Sequence, residues 1–413
     1  MTSWIIVGGG TAGCVLANRL SSDDRHHVTL VEAGPDRIGE SSASYLDALQ
    51  APGRLWSGLM VSDGDLTTRP YPQGRGLGGS SAVNGTVLSG GELDQYRRWG
   101  WSGWAAARGR SQIPAQTVPI AELGPVDRAL LGSVRGGVRA VLSRRAGACV
   151  SSAAAYLDAA RHRSNVEVVT DTLVDRVVTD GRVATGILTA AGDRLHADRV
   201  VCAAGAIYTP ALLLRSGIAV DGIGVGLADH PSRVVELALQ PDAAADPHSL
   251  VTGAALRRGA IEIVTMNHLG TDRPGSAALL VGLLQTHRRG RVGLDPDRPD
   301  DPLAPPVVDF GPNAHPDDVR RLADGVALAQ RVLASPSFAR VIDGFSVGRG
   351  DGGYAHASSS CPMGTVVDRR GAVIGYEGLS VADASVFPEI PASGTYLPVI
   401  VLAERLAHLW LTR

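Results

Sequence analysis

The sequence predicts an α/β protein with a doubly wound parallel sheet and a second layer of antiparallel strands. Three observations support this fold class. An apolar run ending at Val7 is followed by a glycine-rich turn, a helical pattern and a second apolar run ending at Val31. Apolar runs at 199–204 and 379–382 are placed to add further parallel strands. Between 234 and 294, alternating strands separated by Pro, Asp and Gly turns are typical of antiparallel pairing.

The first turn predicts a dinucleotide site. Gly8, Gly10 and Gly13 have the spacing that permits a tight turn, close approach of the backbone to a pyrophosphate, and close packing of helix on strand. The helix would direct its N-terminus at the phosphates. Glu32, which ends the second strand, would reach a ribose hydroxyl. The alternative is a glycine-rich loop without a ligand.

Two further segments stand out before residue 105. Residues 69–91 read RPYPQGRGLGGSSAVNGTVLSGG, with too few apolar side chains for a core and too regular a pattern for a linker. We expect this backbone to lie against a ligand, and a mobile surface loop is the alternative. The segment YRRWGWSGW, from Tyr96 to Trp104, carries three tryptophans. A small buried core is favoured there over a site for an aromatic ligand.

The remaining elements follow from periodicity. A helix is predicted over 151–163 and another from about Thr209 and Pro210. Strands are predicted at 166–170, 173–179, 184–189, 199–204, 234–239, 261–266, 278–284 and 290–294. An amphipathic helix over 317–333 would bury a face made of Val319, Leu322, Val326, Ala329 and Val332 or Leu333. A short strand at 379–382 then leads to Asp383 and to a closing helix from about Val399.

Composition excludes several partners and locations. The net charge of −2 and the lack of long single-sign runs argue against nucleic acid and anionic membranes, so we expect a small-molecule partner. All 39 basic residues are Arg, which is typical of GC-rich bacterial coding. The four cysteines form no CxxC pair, so neither a disulfide framework nor a metal site is expected. We predict a cytoplasmic protein, because the chain enters its first strand at once and contains no transmembrane segment.

Six stretches together resemble the glucose-methanol-choline (GMC) oxidoreductase family. They read VGGGTAGCVLANRLS with VEAG, GRGLGGSSAVNG, SSAAAYLDAARHRSNVEVVTDTLVDRVV, CAAGAIYTPALLLRSGI, VGLADHP and ADASVFPEIPASGT. The resemblance implies a Rossmann-like FAD-binding domain formed mainly by 1–230, an antiparallel-sheet substrate domain over 231–351, and a return to the first domain over 352–413. It implies oxidation of an alcohol to a carbonyl by hydride transfer to flavin N5, with electrons passed to a quinone, another redox carrier or oxygen.

The same resemblance assigns the FAD site residue by residue. The pyrophosphate would be held by Gly8, Gly10, Thr11, Ala12 and Gly13. The adenosine ribose would meet Glu32, followed by Ala33, and the adenine would meet the backbone of Val174. The flavin would lie along Gly79, Ser80, Asn84, Gly85, Thr86 and Val87, with Asp383 and Thr395 contacting the ribityl chain, the pyrophosphate or the ring. Covalent FAD in this family uses a His where this chain has Val83, so we expect non-covalent FAD.

His356 lies five residues before Cys361, where the family places its active-site histidine ahead of a C-x-M-G element. Its expected role is to accept or organise the hydroxyl proton. The family's second His or Asn corresponds to Gly394, which has no side chain to hold a proton. Tyr396 is the candidate replacement, and more room for a bulky substrate, or weak catalysis, is the alternative. His230 in the ADHP stretch is expected to be structural.

Two departures from the family leave alternatives open. Residues 105–137 and 231–351 are shorter than the corresponding regions of many members, which implies an open site or one that a partner completes. Compact members associated with mycofactocin, a peptide-derived redox cofactor, are similar in this respect. The Gly394 position also admits a hydroxynitrile-lyase-like protein that keeps FAD without redox turnover, and a non-catalytic flavin protein is a third interpretation.

Overall fold

The computed structural model describes residues 1–39, 44–64, 68–91, 93–101, 103–312, 315–348 and 352–412. Ser102 and the domain boundary predicted at residue 351 lie outside these ranges. The helices are α1 Thr11–Leu20, α2 Tyr45–Gln50, α3 Leu93–Arg98, α4 Trp104–Gly109, α5 Pro125–Ser133, α6 Asp158–Ala160, α7 Gly205–Arg215, α8 Pro316–Leu333 and α9 Tyr396–Leu411. A π-helical turn, Ala153–Leu157, precedes α6 directly, and together they confirm the helix predicted over 151–163.

Strands occur throughout the chain. They are β1 Thr2–Val7, β2 His26–Val31, β3 Met60–Ser62, β4 Thr68–Pro70, β5 Gln116–Thr117, β6 Gly137–Arg139, β7 Val141–Leu142, β8 Arg144–Arg145, β9 Ala148–Cys149, β10 Val166–Val169, β11 Val174–Asp180, β12 Val183–Thr189, β13 Arg194–His196, β14 Arg199–Cys202, β15 Val225–Leu227, β16 Pro231–Leu239, β17 Ala254–Arg258, β18 Ile261–Met266, β19 Ser276–Leu283, β20 Gly290–Gly293, β21 Val307–Asp309, β22 Ile342–Val347, β23 Gly352–Gly353 and β24 Leu379–Val381.

A parallel sheet in the order β10-β2-β1-β14-β24 forms the centre of the molecule. Its central strands β1 and β14 are mostly apolar and buried, as expected when helices or a further sheet cover both faces. The helix α1 packs against β1, β2 and α9, while the meander β11-β12-β13 packs on β14 through β12. An ion pair of 2.8 Å between Arg19 and the buried Glu404 ties α1 to α9. This arrangement confirms the predicted fold class.

The start of α7 differs from the prediction. The helix begins at Gly205 and not near Thr209, so Pro210 lies inside it. Proline lacks the N–H group that would bond to the Ala206 carbonyl oxygen. Ser360 Oγ donates to that oxygen over 2.5 Å and replaces the missing bond. The sequence pattern failed here because the compensating hydroxyl comes from a residue 154 positions further along the chain.

The second layer is an antiparallel sheet in the order β22-β16-β19-β18-β17-β6, with β23 paired to β16. The helix α8 covers one face with Leu322, Ala329, Val332 and Leu333 buried. Val319, predicted for that face, is 48% exposed, because it lies in the first turn at the end of the helix. The division into 1–230, 231–351 and 352–413 stays a prediction, and β6 joins this sheet from the first of these segments.

The tryptophan-rich segment is core. Tyr96, Trp99, Trp101 and Trp104 are buried together with Phe387, and the rings of Tyr96 and Trp104 stack at 3.5 Å between centroids. These rings belong to the same apolar cluster as the parallel sheet. None of the helices described has both the length and the apolar composition needed to cross a lipid bilayer.

We predict that Gly13→Ala destabilises the fold severely. A Cβ atom at Gly13 would lie 1.9 Å from the Gly8 carbonyl oxygen, a backbone atom that cannot move without displacing the turn. The free energy of unfolding should fall by about 3 kcal/mol or more, measured by thermal and denaturant unfolding. Gly109→Ala is the matched control, because a Cβ atom there meets nothing within 4 Å. Equal stability of the two variants would contradict the packing argument.

Candidate active site

A cavity of about 460 Å³ opens along the carboxyl ends of the parallel strands. Val7, Val31, Ala203 and Asp383, which end or follow β1, β2, β14 and β24, all line it, as expected for ligand sites in open α/β sheets. The predicted cofactor residues that border the cavity are Gly8, Gly10, Thr11, Ala12, Glu32, Ala33, Gly79, Ser80, Asn84, Gly85, Thr86, Val87, Val174, Asp383 and Thr395. Gly13 does not border it, and its close contact with Gly8 makes it a packing residue.

The phosphate end of the cavity consists of closely approaching backbone. Gly8 has φ = +106°, and a Cβ atom there would lie 2.6 Å from the Ala203 carbonyl oxygen. Gly79 has φ = +51°, and its Cβ atom would lie 2.8 Å from Gly10 Cα. The first turn of α1 contains no acidic residue, so its free N–H groups favour an anion. These features fit a dinucleotide pyrophosphate.

Glu32 has a structural role that the sequence did not reveal. Its buried carboxylate accepts hydrogen bonds from the backbone N–H groups of Gly9 at 2.7 Å, Gly34 at 2.9 Å and Gly76 at 2.9 Å. It therefore joins the first glycine turn to the second glycine-rich segment. A carboxylate offers about four acceptor positions, which leaves one for the predicted ribose hydroxyl.

Asp383 likewise holds backbone in place. Its carboxylate accepts from Gly205 N at 2.9 Å, Thr209 Oγ1 at 2.6 Å and Ser385 N at 2.8 Å. Burial raises the pKa of this carboxyl, and the three donors act against that shift. The side chain thus fixes the N-terminus of α7 against the end of β24, beside the cavity.

Two histidines meet at the other end of the cavity. The Nδ1 atoms of His230 and His356 are 2.9 Å apart, and His230 Nε2 is 2.9 Å from the Pro391 carbonyl oxygen. A carbonyl oxygen only accepts, so His230 Nε2 carries the proton and His230 Nδ1 is an acceptor when the ring is neutral. The His356 Nδ1–H group therefore donates to His230, and His356 Nε2 keeps a free lone pair.

The electrostatics of the site keep this pair neutral. Burial lowers the pKa of His356 to about 4. Burial and the neighbouring His356 lower the pKa of His230 to about 3.

Asp229 accepts from the backbone N–H groups of His230 at 2.7 Å and His356 at 3.0 Å, and from the Tyr71 hydroxyl at 2.9 Å. The buried Asp229 carboxylate thus fixes the backbone at both histidines.

Gly394 lies next to the free nitrogen. A Cβ atom at Gly394 would be 3.7 Å from His356 Nε2 and 3.2 Å from Ser89 Oγ. Ser89 Oγ accepts the Gly394 N–H group at 2.9 Å and also lines the cavity, so its own proton can be donated to a ligand. Ser89 is therefore the polar side chain nearest to the position of the family's second His or Asn.

This geometry bears on two sequence interpretations. His230 was expected to be structural, yet it bonds directly to His356. Tyr396 was expected to replace the polar group missing at Gly394, but its hydroxyl donates to the Val150 carbonyl oxygen at 3.3 Å. The tyrosine lies in the first turn of α9 and lines the cavity, so its catalytic role stays a prediction. Spacing along the chain contained no signal for either contact.

Comparison with known proteins identifies the family. Family models described as GMC oxidoreductase match residues 121–232 and 286–403, and a model described as NAD(P)-binding Rossmann-like domain matches 6–58. The chain belongs to the GMC oxidoreductase family. It is accordingly an FAD-dependent oxidoreductase that acts on alcohol groups.

Similar proteins match over nearly their whole length. The 5-(hydroxymethyl)furfural oxidase of Methylovorus sp. is 28% identical, covering 99% of this chain and 98% of that protein. The oxygen-dependent choline dehydrogenase of Burkholderia multivorans is 28% identical, covering 98% and 92%. The crystal structure of pyridoxine 4-oxidase from Mesorbium loti shares the fold, with a TM-score of 0.89, 21% identity and complete coverage of both chains. The first of these alignments runs over 526 positions against 413 residues here, so this GMC protein lacks insertions that the relative carries.

We predict opposite results for two hydroxyl deletions. Tyr396→Phe should leave the rate of flavin reduction by alcohol nearly unchanged and lower the free energy of unfolding by about 1 kcal/mol, because its hydroxyl bonds within the protein, to the Val150 carbonyl oxygen. Ser89→Ala should slow flavin reduction about tenfold, because it removes a donor beside His356. Stopped-flow absorbance measures the rates. A strong rate loss in Tyr396→Phe alone would restore the tyrosine as the catalytic residue.

Proposed function

We propose that this protein oxidises a small-molecule alcohol to a carbonyl compound, with His356 Nε2 accepting the hydroxyl proton. The observation that supports this role is the hydrogen-bond sequence from Pro391 through His230 to His356, which leaves Nε2 unprotonated next to Gly394. The Ser89 hydroxyl would donate to the substrate oxygen and hold it against that nitrogen. The alcohol loses a proton to His356 and a hydride from the adjacent carbon.

FAD, when bound, supplies the two-electron oxidation by accepting the hydride at N5. The residues of the chain position it. The glycine turn and the start of α1 would bind the pyrophosphate, and residues 79–87 would lie along the flavin. Val83, in the place of a linking histidine, supports non-covalent binding.

We propose that a small-molecule acceptor reoxidises the cofactor. A quinone, another redox carrier and oxygen are the candidates, and two relatives bear names that refer to oxidase or oxygen-dependent activity. Turnover with air compared with turnover under nitrogen with an artificial quinone distinguishes oxygen from the other acceptors.

The reaction is tested by anaerobic absorbance spectroscopy of the holoprotein. Addition of alcohols should bleach the flavin bands, and His356→Ala should slow this reduction by about 10² to 10⁴ while FAD content is retained. His162→Ala, which alters an exposed histidine, is the control. If no alcohol in a broad panel bleaches the flavin, the proposed function is wrong. If His356→Ala reacts at the normal rate, the assigned base is wrong.

The pH dependence should reveal His230 as a positioning residue. Because the pKa of His356 is lowered to about 4, flavin reduction should stay constant from about pH 8 to pH 6 and fall only near pH 4, as the base becomes protonated. His230→Ala removes the acceptor for the Nδ1 proton and admits water. We expect a loss of about tenfold and an acid limb moved up towards the ordinary histidine pKa of 6.5.

His230→Asn provides the matched comparison, since its amide oxygen can accept the His356 Nδ1 proton in place of the ring nitrogen. This variant should recover much of the rate and most of the acid limb. Identical pH profiles for the wild type and both variants would show that His230 does not set the tautomer of His356.

A further inference from the structure

Three side chains with metal-ligating atoms meet behind the proposed base. One ligand atom from each of Asp229, His230 and His356 lies within 4.8 Å of the other two. The Nδ1 atoms of the two histidines are 2.9 Å apart, and the carboxylate accepts the backbone N–H groups of both residues. Two imidazole nitrogens with one carboxylate oxygen are a ligand set typical of zinc and other divalent transition metals. The cysteine spacing predicts no metal site, but here the fold joins ligands from positions 126 residues apart.

The contacts of His230 match those of a metal ligand. Its Nε2–H group donates to the Pro391 carbonyl oxygen at 2.9 Å, so the lone pair of its Nδ1 atom faces His356. Metal-ligating histidines almost always donate their other N–H group to a carbonyl oxygen, a carboxylate or water, which fixes the tautomer and the orientation of the ring. His230 is fully buried, so its Nδ1 lone pair is already held in place.

Asp229 has one acceptor position left. Its Oδ1 atom accepts from the backbone of His230 and His356, whereas among the described residues Oδ2 accepts from the Tyr71 hydroxyl alone. A carboxylate offers about four acceptor positions, so one remains on Oδ2. Asp229 is 2% exposed and forms no ion pair in the described ranges, since the nearby Arg69 pairs with Asp63. A carboxylate buried without a counter-ion favours a bound cation.

A second group of this kind lies at the start of α8 and serves as a comparison. It consists of His287, His315 and Asp318, and both of its histidines are exposed. The four acceptor positions of Asp318 are already taken by His287 N and Nδ1, Thr286 Oγ1 and Arg321 Nη2. A metal ion would have to displace one of these bonds, so we do not assign a site there.

We propose that a divalent transition-metal ion binds between His230 Nδ1 and His356 Nδ1, with Asp229 as the third ligand, and thereby blocks the proposed base. Zinc–nitrogen bonds of about 2.0–2.1 Å in tetrahedral geometry place two nitrogens about 3.3 Å apart. The two rings, now 2.9 Å apart at Nδ1, need to separate by only a few tenths of an ångström. Water would complete the tetrahedron.

Binding of the ion changes the tautomer of His356. The neutral ring carries one proton, which lies on Nδ1 in the bond to His230. When Nδ1 becomes a ligand, that proton moves to Nε2, so the protein neither releases nor takes up a proton. Nε2 then has no lone pair for the hydroxyl proton of an alcohol. The inhibition rests on the proposed function, whereas the binding of the ion can be measured without it.

The binding test titrates Zn²⁺ alone into the holoprotein by calorimetry, with Co²⁺ as a second probe whose visible absorption reports tetrahedral coordination. In a His315→Ala background, which removes the surface pair, we expect one ion per chain. His356→Ala and His230→Ala should each raise Kd about 10²-fold or more, and Tyr71→Phe, which loosens Asp229, about tenfold. Tyr71→Phe keeps all three ligands, so it decides the matter if a ligand variant fails to fold. Absent zinc binding, or an unchanged Kd in these variants, would overturn the proposal.

A kinetic test measures the consequence for the reaction. Zn²⁺ should slow flavin reduction by alcohol, with half-inhibition at the Kd found by calorimetry, and EDTA should restore the rate. His315→Ala is the matched control and should be inhibited like the wild type. Zinc binding that depends on His230 and His356 without oxidation of any alcohol would support the metal site and reject the proposed function. Zinc bound at these residues without any effect on flavin reduction would reject the proposed block of the base.

Discussion

The hydrogen bonds to the Glu32 carboxylate organise the cofactor end of the molecule. Three backbone N–H groups, from the first glycine turn, the segment after β2 and the second glycine-rich segment, converge on this one side chain. Because Gly76 is 44 residues from Glu32 in the chain, the carboxylate holds together elements that glycine alone would leave flexible. The close approach of Gly79 to Gly10 then follows. The cavity floor is consequently backbone, which suits a phosphate-bearing ligand.

Sequence reasoning succeeded where the physical cause is local. The spacing of Gly8, Gly10 and Gly13 reports a steric requirement between residues within one turn, and apolar runs report strands buried on both faces. It failed where the cause is distant. Pro210 inside α7 is explained by Ser360, and the role of His230 is explained by His356, 126 residues away. Residues so far apart in the chain form no periodic pattern, so a single sequence does not indicate that they are in contact.

The candidate site shows the same division. The resemblance to GMC proteins located His356, but the protonation state of its Nε2 atom depends on the Pro391 carbonyl oxygen, which accepts a hydrogen bond from a different histidine, His230. Asp229 adjoins His230 in the chain, but only the fold brings its carboxylate to the backbone of His356, 127 residues away. The contacts of a buried charge are thus the property that sequence patterns report least well.

The absence of a side chain at Gly394 changes what the rest of the site must do. With a second His or Asn at that position, a substrate hydroxyl could be oriented from two sides, and either group could hold the proton. Here His356 borders the space left by Gly394, so the direction of its Nε2 lone pair depends on contacts on the opposite side of the ring. The bond to His230 provides that direction, and burial of both rings keeps it intact by disfavouring a second proton. The space left by Gly394 lies beside Ser89, so a larger substrate can enter without losing a hydrogen-bond donor at its oxygen. The fixed tautomer of His356 thus orients the substrate hydroxyl, as a second His or Asn side chain would do at the Gly394 position.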